Sequence, residues 1–191
     1  MAGETGETRN DELDEQAEAR RRTALAQIRQ WGDPALRMPA REVEAFDEDL
    51  GRLVERMQRL MRDANGVGLA ANQVGIVRRV LVFLPELEAE PVALVNPSLV
   101  ERSDEVAEGD EGCLSLQGVT VPVERSVAVT VEGQGADGAG VRLELEGLAA
   151  RVVQHELDHL DGVLILDRTT PEARREALGA LRPQPILALQ Q

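Results

Sequence analysis

The sequence predicts an α+β fold, with mostly antiparallel sheets wrapped around a central helix that carries His155-Glu156-Leu157-Asp158-His159. Three observations predict it. An apolar stripe at spacings of three and four marks a helix early in the chain. Short β-branched runs broken by Gly, Pro and Asn then mark strands. A second helical stretch, apolar on more than one side, follows the strands, and such a helix belongs in a core. The chain has 191 residues, enough for one compact domain with a sizeable core.

Residues 1–22 are polar and mixed in charge, with Leu13 as their only large aliphatic side chain after Met1. They are expected to form a disordered or loosely helical extension. A single domain is expected over residues 23–170, and a short helix and tail over 171–191. Leu50, Leu53, Val54, Met57, Leu60 and Met61 form one helical stripe between residues 47 and 63. Asp47 caps its start, and Asn65 with Gly66 ends it. The Gly-rich stretch Gly66 to Gln73 has neither helical nor strand periodicity.

Strands are expected over Val77 to Leu84, then over Val92 to Val95, stopped by Asn96-Pro97. Val119 to Val123, Val127 to Glu132 and Val141 to Glu146 follow, the last two flanking a hairpin tip at Gly133 to Gly140. The core helix begins near Leu148, runs to about Asp161 and is closed by Gly162. Pro171 starts a last helix through Leu181, and Pro183 and Pro185 prevent its continuation.

Composition narrows the chemistry. All 21 basic residues are Arg, so Schiff-base chemistry and phosphate-binding lysines are excluded. The one Cys, Cys113, leaves no internal disulfide, which favours a reducing compartment. The only aromatics are Trp31, Phe46 and Phe83, too few for stacking bases. The net charge of −14 repels phosphate backbones and anionic membranes, so neither nucleic acid nor membrane is an expected partner. The N-terminus has no apolar signal core and no stretch reaches the length of a membrane span, so a cytoplasmic protein is expected.

The chemistry concentrates in Gln154-His-Glu-Leu-Asp-His159. His155 and His159 are four apart, so on a helix they share one face and can hold one metal ion. Glu156 sits about 100° further round, placed to act on a water rather than to join the pair as a ligand. Taken alone, such a pentamer is as well explained by chance. Val152, Val153 and Leu157 tilt the balance, because they put the pair in a core where buried imidazoles need partners. A catalytic zinc-type site needs a third ligand and an open position. Cys113, in Glu111-Gly-Cys-Leu-Ser115, is the one soft candidate, although a lone Cys is more often a small buried hydrophobe.

Three motifs, Gly66-Val-Gly-Leu-Ala-Ala-Asn-Gln73, Glu111-Gly-Cys-Leu-Ser115 and Gln154-His-Glu-Leu-Asp-His159, together resemble the peptide deformylases of bacterial or organellar type. Asp33-Pro-Ala-Leu-Arg37 is a weaker echo, and the resemblance spans roughly Ala24 to Asp167. It implies hydrolysis of the N-formyl group from the N-terminal formylmethionine of newly made chains, with release of formate. It implies Cys113, His155 and His159 as ligands of one divalent metal, Fe(II) in the cell, for which Zn, Ni or Co can substitute. It implies Glu156 as general acid/base, Gln73 and the Leu114 N–H as oxyanion donors, and Gly68 as a backbone contact to substrate. Val67, Leu114 and Val152 are placed to line a pocket for the Met side chain. Formylated nascent peptides are the implied partners of a monomeric enzyme, with ribosome contact no more than transient.

This chain has Ser115-Leu-Gln-Gly118 where the family often has Ser-Val-Pro-Gly, and Arg125 stands two places beyond Val121-Pro-Val123. Peptide preference beyond formylmethionine is therefore left open. Glu111 is either the partner of Arg125 or an exposed structural carboxylate. Two other readings stay in view. A zinc endopeptidase shares the His-Glu-x-x-His signature and would draw a downstream third ligand from Glu172 or Glu176. A non-catalytic metal-binding protein would not need an intact Glu156.

Overall fold

The structure, a computed structural model, describes residues 4–181, with residues 4–13 as backbone only. Its elements are α1 (Glu4–Leu25), α2 (Glu48–Asp63), β1 (Gly68–Ala70), β2 (Val80–Phe83), β3 (Val92–Arg102), β4 (Val106–Cys113), β5 (Leu116–Ser126), β6 (Ala128–Gln134), β7 (Gly140–Glu146), α3 (Gly147–Leu160) and α4 (Pro171–Ala180). Short 3-10 turns fill Pro34–Arg37, Ala71–Val74 and Ile165–Asp167. The fold is α+β, as expected.

One antiparallel sheet has the order β1-β2-β3-β6-β7; β4 and β5 form a separate antiparallel pair. The two sides of β2 explain the layering. Val80 and Val82 face the cluster built by α2 from Leu50, Met57 and Met61. Leu81 and Phe83 face the cluster built by α3 from Ala150, Val153 and Leu160. The central sheet is thus covered on both faces, and a strand buried on both faces reads as a continuous apolar run. On the β4–β5 pair, Val119, Val121 and Val123 alternate inward onto Leu164, Ile165 and Ala177, which closes a third cluster beside α3.

Caps behave as the sequence implies. The Asp47 carboxylate accepts from the Leu50 N–H at 3.0 Å, and Thr170 caps α4 ahead of Pro171. Gly162 adopts φ 75° after α3, with its would-be Cβ 2.7 Å from the Arg37 carbonyl oxygen, so only glycine fits that turn.

Three features depart from the sequence expectations or add to them. Residues 4–25 form one continuous helix, which runs past the expected boundary at 22/23. Its C-terminal end is held because Ala24 and Leu25, with Ile28 just beyond, bury against α2. β3 continues through Asn96-Pro97 instead of stopping there. The register shifts between Val95 and Ser98, so Pro97 lies in a bulge where its missing N–H costs nothing, and Asn96 takes φ 50°. The Asn96 side chain braces that bulge against the Val43 backbone at 2.7 and 3.0 Å. Finally, β4 lies in an acidic segment with no apolar alternation, because most of its residues are exposed and pairing with β5 holds it. Of the expected C-terminal helix and tail, residues 182–191 lie outside the described part.

Candidate active site

Three segments build the site. α3 supplies His155, Glu156 and His159. The β4–β5 turn supplies Cys113 and Leu114, and β1 with its following 3-10 turn supplies Gly68 and Gln73. The ligand atoms of Cys113, His155 and His159 lie within 4.8 Å of one another. Cys113 Sγ and His155 Nε2 each lie 3.2 Å from His159 Nε2. A soft sulfur and two ring nitrogens converging on one point suit a divalent ion, with room for a fourth position. Burial holds His159 well below the usual imidazole range, whereas at His155 burial is outweighed by the bonds to Cys113 and Glu111, which raise it well above that range.

The other ring nitrogen of His155 is taken. Nδ1 donates to Glu111 Oε2 at 3.0 Å, which leaves Nε2 free to ligate. Glu111 is buried, and Arg125 grips it at 3.0 Å through both Nε and Nη2. Arg151 adds a 2.8 Å bond to Glu111, and Arg125 also bonds Asp158. Burial pushes the Glu111 carboxyl up, but the bonds from His155 and Arg125 outweigh it and hold the group down at about 2. Of the two sequence readings of Glu111, the paired one is therefore right.

Glu156 faces the opposite situation. Its carboxyl is buried without an ion-pair partner, and burial pushes it up to about 7, against the pull of His155. One of its oxygens, Oε2, has no hydrogen-bond partner among the described residues. Gly68 is what lets the β1 backbone approach it: a Cβ there would sit 2.4 Å from Glu156 Oε1 and 2.8 Å from Val152 Cγ1. Gln73 is oriented by its own neighbours. Its Oε1 accepts from the Ala70 N–H at 2.8 Å, so its amide nitrogen is directed to Ser115 Oγ at 3.1 Å and towards Cys113 Sγ at 3.7 Å.

These residues surround a cleft of about 530 Å³. Eight of the nine residues singled out from the sequence line it: Val67, Gly68, Gln73, Cys113, Leu114, Val152, His155 and Glu156. His159 sits just behind the wall, almost fully buried. Glu172 and Glu176, the alternative third ligands, are exposed on α4 and join no ligand cluster among the described residues.

The model of the family described as polypeptide deformylase matches residues 25–175. The chain belongs to the peptide deformylase family. A peptide deformylase of Acidothermus cellulolyticus is 47% identical over 159 residues, covering 83% of this chain and 87% of that protein. One from Thermotoga maritima is 48% identical over 150 residues, covering 78% and 90%. The crystal structure of the Thermotoga maritima peptide deformylase superposes with a TM-score of 0.73 at 49% identity, covering 75% of this chain and 97% of that one. The peptide deformylase of Synechococcus elongatus in complex with actinonin gives 0.76 at 39% identity, covering 82% and 91%.

Sequence reasoning missed part of this deformylase site. The sequence marks Asp158 only as a member of the helix motif, yet it bonds both Arg125 and Arg168 on the helix that carries His155 and His159. The contribution of α1 to the cleft, through Arg21 and Leu25, had no signal in the motifs.

Proposed function

We propose that the chain performs the family reaction, hydrolysis of the N-formyl group from formylmethionyl peptides, with Cys113, His155 and His159 holding one divalent metal ion. When bound, the ion supplies Lewis acidity and activates water as a nucleophile near neutral pH. Glu156 accepts the proton of the attacking water and passes it to the departing amine nitrogen, a task suited to a carboxyl held near neutrality by burial. The Gln73 amide and the Leu114 backbone N–H donate to the oxyanion of the tetrahedral intermediate, each worth about 3 kcal/mol when preorganised. The Gly68 backbone positions the peptide, and Val67, Leu114 and Val152 receive the Met side chain. A formyl carbon carries only hydrogen, so a narrow site excludes bulkier acyl groups sterically.

The observation that carries the reading is the convergence of the three ligand atoms within 4.8 Å beside Glu156 in one cleft. Cys and His donors suit Fe(II), Zn, Ni and Co alike, and we assign Fe(II) to the cell with the others as substitutes. We place the enzyme in the cytoplasm as a monomer acting on formylated nascent peptides, with no more than transient ribosome contact at a net charge of −14. No described helix is long and apolar enough to cross a membrane.

The test is formate release from formyl-Met-Ala-Ser by protein loaded anaerobically with Fe(II). Turnover is expected, and its absence with Fe, Ni, Co and Zn alike would overturn the reading. In the Cys113→Ala variant metal binding should collapse; unchanged binding would reject the ligand set.

A further inference from the structure

The helix that precedes the family-matched region reaches the substrate cleft. Arg21 and Leu25, one turn apart on the same face of α1, both line the cavity that holds Cys113, His155 and Glu156. The matched region begins at residue 25, so Arg21 lies just outside it.

Its position is fixed. Ala24 and Leu25 are buried against α2, and Ile28 continues the same contact. Immediately afterwards the backbone is tied to both loops of the site. The Arg29 N–H donates to the Gln73 carbonyl at 2.7 Å, and the Trp31 N–H to the Ser115 carbonyl at 2.8 Å. Gln30 Nε2 donates to the Leu114 carbonyl at 3.1 Å. Arg21 is thus held in register with the catalytic loops.

Among the described residues, the charges of the cleft leave one cation for a ligand. Glu111 is occupied by Arg125, Arg151 and His155. Arg151 is further bound to the carbonyls of Val123 and Ala107 at 2.9 and 2.7 Å. Glu156 lies buried at the bottom. The other charged residues that line the cleft are Asp110, which is exposed, and Arg21, which is half-buried. Among the described residues, Arg21 pairs only with Glu18, one turn back at 3.8 Å, with both side chains substantially exposed. A pair of that kind contributes little and yields readily to a better partner.

We propose that Arg21 is a specificity residue, which binds an anionic group of the peptide downstream of its formylated first residue. That group is an acidic side chain or, in a short peptide, the terminal carboxylate. The proposal rests on the deformylase reading. The single guanidinium acts at the solvent-facing mouth, so the effect is a preference in KM rather than a requirement, and salt screens it.

The experiment compares formate release from formyl-Met-Ala-Glu and formyl-Met-Ala-Lys, each as free acid and as C-terminal amide, at low and high salt, by the full chain loaded with metal. The amides isolate the side chain; the difference between acid and amide isolates the terminal carboxylate. The expected result is a two- to five-fold lower KM for the Glu peptide or for the free acids, lost at high salt. Arg21→Ala should abolish that preference and Arg21→Glu should invert it. Arg22→Glu, which makes the same change in net charge at an exposed neighbour, should keep it. An unaltered preference in Arg21→Glu, or an equal loss in Arg22→Glu, would overturn the proposal. Failure of the unsubstituted chain to release formate from any of the four peptides would overturn the deformylase reading and this proposal with it.

Discussion

Glu111 Oε2 lies 3.0 Å from His155 Nδ1, and the same carboxylate is clamped at 3.0 Å through both oxygens by Arg125. One buried anion therefore fixes the tautomer of His155, a proposed metal ligand, and neutralises a buried guanidinium. Glu111→Ala should do two kinds of damage. Metal affinity should fall about 10- to 100-fold, because the ligand ring loses its orienting acceptor. Stability should fall by about 3–5 kcal/mol, because Arg125 is left buried without this partner. Metal titration and denaturant unfolding check the two separately.

The proposed role of Glu156 is to move protons, not to ligate the ion. Glu156→Gln should retain one metal per chain and lose about 10²- to 10⁴-fold in kcat. Elemental analysis alongside formate release measures both. Retained turnover would remove Glu156 from the acid/base role.

Gly68 stands where any side chain would strike the Glu156 carboxylate. A Cβ there meets Glu156 Oε1 at 2.4 Å and Val152 Cγ1 at 2.8 Å. Gly68→Ala should lower kcat up to about 100-fold through displacement of the carboxylate. The overpacking should cost about 1–3 kcal/mol of stability. A kinetic loss much larger than the shift in unfolding midpoint would separate misplacement from general damage.

Acid should loosen the strap after α3. Partial burial raises the Asp167 carboxyl, but the hydrogen bond from Arg37, helped by the Leu164 N–H, outweighs it and the group lies below its usual 3.8. A carboxyl depressed in the folded state stabilises fully above its unfolded pKa, and that contribution disappears as pH falls through the folded value. Asp167→Asn should therefore lower Tm at pH 7, with the gap to the unsubstituted chain closing below the usual carboxylate range. Thermal unfolding at stepped pH reads the difference.

Much of this was legible in the sequence where local pattern and chemistry agree. The stripe from Leu50 to Met61 could only be a helix with one buried face, and Asp47 marked its start. His155 and His159 needed only helical spacing to meet, and Cys113 was the one remaining soft donor. The misses have a common physical origin in long-range contacts that override local cues. Pro97 ends a strand unless a bulge absorbs it, and here Asn96 braces that bulge through Val43. The acidic segment of β4 has no alternation to read because its partner β5 supplies the order. The placement of α1 has no motif to mark it, because three buried residues near its end, Ala24, Leu25 and Ile28, decide it through contacts with α2.

The lone thiol gives the molecule a built-in counter. Cys113 is the single cysteine of the chain, and its sulfur lies 3.2 Å from His159 Nε2 and borders the open cleft. A coordinated thiolate reacts sluggishly with alkylating reagents, whereas an uncoordinated one is reached from the cleft. Carboxymethylation, read as one mass increment on the intact protein, would therefore report the fraction of molecules without an ion in any preparation. No background from other cysteines has to be subtracted.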